Sequence, residues 1–161
     1  MGDNPQLSSS HEESALVKVL ILRTGESSDL ALPAYATAGS AGLDLRACIS
    51  QSITLPPGGR ALVGTGIAVA LPAGAEAQIR PRSGTSFKKG LQIPNAPGTI
   101  DSDYPDEWMV IVRNPAATAI RIEHGERIAQ MVLARYEVLA IESGDVAVTT
   151  SRVGGFGSTG H

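Results

Sequence analysis

Charged side chains are unevenly distributed along this chain. Between Glu76 and Asp101 there is no acidic residue, yet the stretch holds Arg80, Arg82, Lys88 and Lys89. Asp101, Asp103, Asp106 and Glu107 then fall close together, and after Asp145 there is again no acid, only Arg152. Basic loops that contain glycine suit phosphate: backbone N–H groups can approach closely and arginine can bind bidentately. A neighbouring group of acids can hold a metal or supply a base. The ordinary alternative is a set of solvated, mobile loops.

Four segments carry this chemistry. Pro81-Arg82-Ser83-Gly84-Thr85-Ser86 joins a strand to a short helix predicted over Thr85–Lys89 and closed by Gly90. Ser83 is placed to cap that helix, and an arginine beside a helix start suits an anion; a plain N-cap would look the same. Asn95 to Asp101 reads as a hairpin turning at Pro97-Gly98, with Asp101 on the outgoing strand and Tyr104 three residues on. Its tip offers backbone donors and acceptors to a flat heterocycle, although a hairpin with no ligand has the same pattern. Gln130 alternates with apolar neighbours and faces either a site or solvent. Arg152 to Gly160 has four glycines, two hydroxyls and the lone aromatic Phe156. It is either a disordered tail or an arm in which Phe156 stacks on a base and Arg152 meets phosphate. It lacks the Gly-Lys-Ser/Thr end of a P-loop.

The elements that position these loops are strands. The 161 residues include 18 Gly and 10 Pro but only six aromatics (3 Tyr, 2 Phe, 1 Trp), which argues against a long-helix bundle. Apolar runs or alternations at Val17–Leu22, Ile53–Leu55, Ala61–Leu71, Ala75–Arg80, Met109–Arg113, Thr118–Ile122 and Ile128–Val138 predict strands, the first of them largely buried. Gly64 and Gly66 inside the third run predict a bulge or a close backbone approach. Short strands between turns predict an all-β jelly-roll or barrel. One domain over 15–147 is expected, between a disordered tail at 1–14 and a glycine-rich arm at 148–161.

Other classes are disfavoured. A net charge of −3 gives no global basic field for nucleic acid or anionic membrane. No apolar run approaches the length of a membrane span, and the N-terminus lacks the pattern of a secretory signal or transit peptide. Cys48 is the one cysteine and reads as a small packed residue; His11, His124 and His161 read as surface positions. A cytoplasmic setting is expected, with the nucleus open to a eukaryotic chain.

Five segments, in order, resemble the motifs of the trimeric dUTP pyrophosphatases, the dUTPases. They are Ala41-Gly42-Leu43-Asp44-Leu45-Arg46-Ala47, Pro81 to Gly84, Gly98-Thr99-Ile100-Asp101-Ser102-Asp103-Tyr104, Gly125 to Gln130, and Gly154 to Gly160. The resemblance runs from about Leu32 to Gly160. It implies a distorted jelly-roll barrel forming a homotrimer with active sites between subunits and a C-terminal arm that closes over a site. It also implies Mg²⁺-dependent hydrolysis of dUTP to dUMP and pyrophosphate, which keeps uracil out of DNA and supplies dUMP for dTMP synthesis.

By position, the resemblance makes Asp101 the general base for a water attacking the α-phosphorus. Arg82, Ser83 and Gly84 would bind phosphates, supported by Gln130. Asn95 and Gly98 belong to the hairpin that reads uracil, and Thr99, Ile100 and Met109 to positions that touch the nucleoside. Tyr104 would lie on the deoxyribose and exclude a 2′-hydroxyl, while Arg152, Phe156, Gly157 and Ser158 act in the arm. Mg²⁺ would ride on the triphosphate, with Asp44 near its water shell and no direct protein ligand. The chain departs from the family in Pro105-Asp106 after Tyr104, in a single residue, Val153, between Arg152 and Gly154, and in Thr85-Ser86 where an apolar pair is commoner. Little consequence is expected of the last. A dCTP deaminase-like enzyme, an idle nucleotide-binding regulator and a structural jelly-roll subunit are the competing readings.

Overall fold

The computed structural model describes residues 20–24 and 29–145. Within them are β1 (Leu20–Arg23), β2 (Leu43–Arg46), β3 (Ile53–Leu55), β4 (Arg60–Gly64), β5 (Ile67–Ala70), β6 (Ala75–Arg80), α1 (Ser83–Lys89), β7 (Gly98–Ile100), β8 (Met109–Arg113), β9 (Ile120–Ile122) and β10 (Arg127–Arg135). All pairings are antiparallel: β1 with β5, β3 with β9, β4 with β8, and a four-stranded sheet in the order β2-β10-β6-β7. One apolar cluster takes side chains from the strands but none from α1, among them Leu45, Leu55, Val63, Val69, Ile79, Val112, Ile122 and Ile128, around the buried Trp108. β6, β8 and β9 send one alternating face inward, while β5 is buried over three successive residues, so the all-β reading follows from burial as well as from pairing. The expected tail at 1–14 and arm at 148–161 lie outside the described residues.

Several local expectations change. The run Ala61–Leu71 is two strands, because Gly66 takes φ +70° and donates its N–H to Glu107 Oε1 at 2.8 Å. Thr65 breaks the ladder with it, donating its hydroxyl to the Trp108 carbonyl at 2.7 Å. A Cβ on Gly64 would sit 2.6 Å from the same Glu107 oxygen, so the glycine marks the close approach its position predicted. Of the first predicted strand, Val17–Leu22, residues 17–19 lie outside the described residues, and the described part is not largely buried. β1 is paired only along β5, and Ile21 packs on the core while Leu20 and Leu22 point away, 79% and 68% exposed. The last strand ends at Arg135, three residues before Val138.

Asn95 to Asp101 is not a hairpin. The chain turns at residues 94–95, with Ala96 N–H bonded to the Ile93 carbonyl at 3.0 Å, and Ala96-Pro97 is cis. β7 then pairs with β6 rather than with the preceding residues, and Asp101 lies one residue past the end of β7. The helix starts two residues earlier than expected. Arg82 is its N-cap residue, no side chain caps it, and Ser83 is already helical, so Ser83 is not the cap. Gly90 ends it as expected, in the left-handed conformation at φ +70°, with its N–H on the Ser86 carbonyl.

The loop after β8 is fastened by one side chain. Asn114 is fully buried; its Nδ2 donates to the carbonyls of Leu55 (2.9 Å) and Thr118 (2.8 Å), and its Oδ1 accepts from Ala116 N–H (2.9 Å). Removing it strands buried backbone groups, so Asn114→Ala is expected to cost about 2–4 kcal/mol. Denaturant unfolding measures this directly.

Candidate functional site

The sheet order brings β2 and β6 to either side of β10. Gln130 on β10 is therefore the cross-strand partner of both Asp44 on β2 and Arg80 on β6. Side chains in such a row share a face. Here the row floors a cleft of about 390 Å³, which is walled by Arg82, Ser83 and Gly84 from the β6–α1 junction and by Arg127 from the start of β10.

Arg127 reaches this face because of a bulge. In a regular strand, residues three apart point to opposite sides. Between Arg127 and Ala129 the register with β2 shifts, and this inserts an extra residue. Ile128 goes into the core, and Arg127 and Gln130 reach the same cleft.

Asp44 organises the charges. Its carboxylate accepts from Arg82 Nε at 2.5 Å and Nη2 at 3.3 Å, and from Arg127 Nη1 at 3.1 Å. Arg80 instead donates to the neutral amide oxygen of Gln78. Three guanidinium groups and one carboxylate leave two positive charges in the cleft wall. Arg82 and Asp44 are partly buried, at 22% and 29% side-chain exposure, so water screens them less than it would on an open surface. Such a site can take an anion with several charges. Gln130 braces it, donating from Nε2 to the Pro81 carbonyl at 2.9 Å, just ahead of Arg82. Gly42 makes that brace possible, since a Cβ there would lie 2.6 Å from Gln130 Oε1.

The structure thus gathers Asp44, Arg82, Ser83, Gly84 and Gln130. It adds Arg80, which the sequence shows only as one of several basic residues, and Gly42 and Arg127, which the sequence places inside motifs without an individual role. The remaining candidates lie elsewhere. Gly98, Thr99 and Ile100 form β7 at the sheet edge, with Asn95 on the exposed turn before it and Asp101 exposed just after it. Tyr104, 39% exposed, lines a second, more apolar cleft of about 490 Å³ with Leu20, Leu22, Ala68 and Pro105. Met109 opens β8 opposite Gly64. Arg152, Phe156, Gly157 and Ser158 lie outside the described residues. Among the described residues no three of His, Cys, Asp or Glu gather as metal ligands. Of the acidic group after β7, Glu107 holds the backbone at Gly66.

A family model for dUTPase matches residues 28–160. The chain belongs to the dUTPase family. It is 49% identical over 144 residues to the deoxyuridine 5'-triphosphate nucleotidohydrolase of Neorickettsia sennetsu, covering 89% of this chain and 95% of that protein. The protein of the same name from Rhizobium meliloti is 51% identical over 143 residues, covering 87% and 89%. Among solved structures, the Staphylococcus bacteriophage 80alpha dUTPase with dUpNHpp superposes with a TM-score of 0.78 at 23% identity, over 89% of this chain and 98% of that one. A dUTPase variant from phage phi11 of S. aureus, described for the coordination of a structural Mg(II) ion, gives 0.72 at 20% identity, over 81% and 98%. The fold is the jelly-roll-like β fold of these dUTPases.

In this dUTPase the geometry gives a direct contrast between two glycines. Gly42→Ala displaces the flexible end of the Gln130 side chain, so its cost is that of the Gln130–Pro81 hydrogen bond, about 0.5–1.5 kcal/mol. Gly39→Ala, where a Cβ meets nothing within 4 Å, is expected to be close to neutral. Urea midpoints of the two variants measure the difference.

Proposed function

We propose that this chain hydrolyses dUTP to dUMP and pyrophosphate. The observation that carries the reading is the partly buried, net-positive cleft built around Asp44, in a chain half identical to enzymes named for this reaction. Phosphoryl transfer depends chiefly on positioning and on neutralising charge on phosphate oxygens. Arg82 and Arg127 would supply the charge. Ser83 and Gly84 open α1, where N–H groups have no partner within the helix, and add donors. Asp101 would accept a proton from the attacking water. The new P–O bond forms at the α-phosphorus as the bond to the pyrophosphate oxygen breaks. Uracil would be read by the segment from Asn95 to Ile100, and Met109 would touch the nucleoside. Tyr104 would cover the deoxyribose.

Mg²⁺ would add charge neutralisation on the triphosphate. Asp44 is the one carboxylate among the described residues lining the cleft, and two arginines already engage it. The donor set therefore fits a magnesium ion brought by the substrate and met through water, not one caged by protein.

A homotrimer with shared sites belongs to the same proposal. Ile100 pairs with Ala77, so Asp101 leaves the sheet at the end of β6 remote from Arg82. Ala77 and Arg82 are five residues apart in sequence, roughly 16 Å at the rise of a strand. One chain's Asp101 is thus badly placed for a phosphate held on its own Arg82, and an Asp101 from a second copy answers the need. The arm at 148–161, with Arg152 and Phe156, would close over the ligand. A cytoplasmic setting is proposed on the single cysteine.

With Mg²⁺ present, purified protein is expected to release pyrophosphate from dUTP in preference to dCTP, UTP and dTTP. Ammonia from dCTP, or no turnover of dUTP, contradicts the proposal. Asp101→Asn is expected to lower kcat by about 10²–10⁴-fold while still binding dUpNHpp; a near-wild-type rate would remove Asp101 from the role of base.

A further inference from the structure

We propose that Thr85 is a positioning residue for the arginine pair, a role that rests on reading the cleft as the phosphate site. The structure gives the Thr85 hydroxyl two partners. It accepts from Arg82 Nη1 at 3.4 Å and donates to the Arg127 backbone carbonyl at 3.2 Å. A hydroxyl has one proton to give and lone pairs to receive with, so both contacts are met at once.

The consequence comes from what each partner lacks without it. Arg82 fixes Nε and Nη2 on Asp44, and Nη1 then has Thr85 as its intramolecular partner. Arg82 is also the N-cap residue of a seven-residue helix whose start has no side-chain cap. A hydrogen bond from the third helical residue to β10 ties that start to the strand carrying Arg127. The pair of guanidinium groups is thereby held from both ends: side chain to side chain through Asp44, and helix to strand through Thr85. Arginine has large rotamer freedom, and a guanidinium already fixed in place loses less of it when an anion arrives. An apolar residue at position 85 can make neither contact.

The probe is inorganic pyrophosphate with Mg²⁺, titrated by calorimetry into wild type, Thr85→Val and Thr85→Ser, with steady-state kinetics on dUTP alongside. Valine keeps the shape and removes the hydroxyl; serine restores it. Thr85→Val is expected to bind pyrophosphate about fivefold more weakly and to raise KM for dUTP by a similar factor, with kcat within about twofold. Thr85→Ser is expected to bring both values back towards wild type. Unchanged pyrophosphate affinity in Thr85→Val overturns the proposal, as does a loss that serine does not repair, since that signals packing rather than the hydroxyl. A wild-type protein that binds pyrophosphate but leaves dUTP intact would remove the proposed reaction and leave the Thr85 result standing.

Discussion

One carboxylate shared by two guanidinium groups is the constraint on which the site rests. Asp44 comes from β2, Arg82 from the β6–α1 junction and Arg127 from the start of β10. Without the carboxylate, like charges would sit together in a partly buried cleft, where repulsion is weakly screened. With it, the two arginines are fixed and the cleft still carries excess positive charge. Other local features serve this arrangement. The bulge after Arg127 turns that side chain to the right face, Gly42 leaves room for Gln130, and Gln130 secures the backbone just before Arg82.

The same sheet order that assembles the arginine cleft, which would hold the phosphates, separates it from β7, which would hold the nucleoside. Two strands separate β7 from β2, and its register runs Ile100 and Asp101 away from Arg82. Exposed apolar side chains fall on the side proposed for the nucleoside: Leu20 and Leu22 border the cleft that contains Tyr104, and Met109 is partly exposed on β8. On the proposed function the chain would carry two separated half-sites, and that would give it a chemical reason to associate with itself. In a rotationally symmetric ring, each copy presents both halves to different neighbours.

The sequence was most legible where pattern and chemistry agree. Strands at Ile53–Leu55, Ala75–Arg80 and Met109–Arg113 keep the bounds their alternation predicts, and Gly90 ends α1 as its type requires. Asp44, Arg82, Ser83, Gly84 and Gln130 were readable as a group through the family resemblance. Arg127 was not, because a period of two puts it opposite Gln130, and only the bulge reverses that. In the sequence Thr85 reads as a departure of little consequence, because its partners are 3 and 42 residues away; a hydroxyl has no periodic signature. The turn before β7 misled for a related reason. Pro97-Gly98 is a strong local turn signal, yet β7 finds its partner in β6, a tertiary contact that local chemistry does not announce.

The central claim is that phosphate binding and proton removal at one site come from different copies of the chain. It is tested by complementation: Arg82→Ala and Asp101→Asn chains, each nearly inactive alone, are unfolded together and refolded as an equal mixture. If each site draws its two halves independently from neighbouring copies, dUTP turnover should return to about a quarter of the wild-type rate. A mixture no more active than the separate variants would contradict the account and place both residues at a site within one chain.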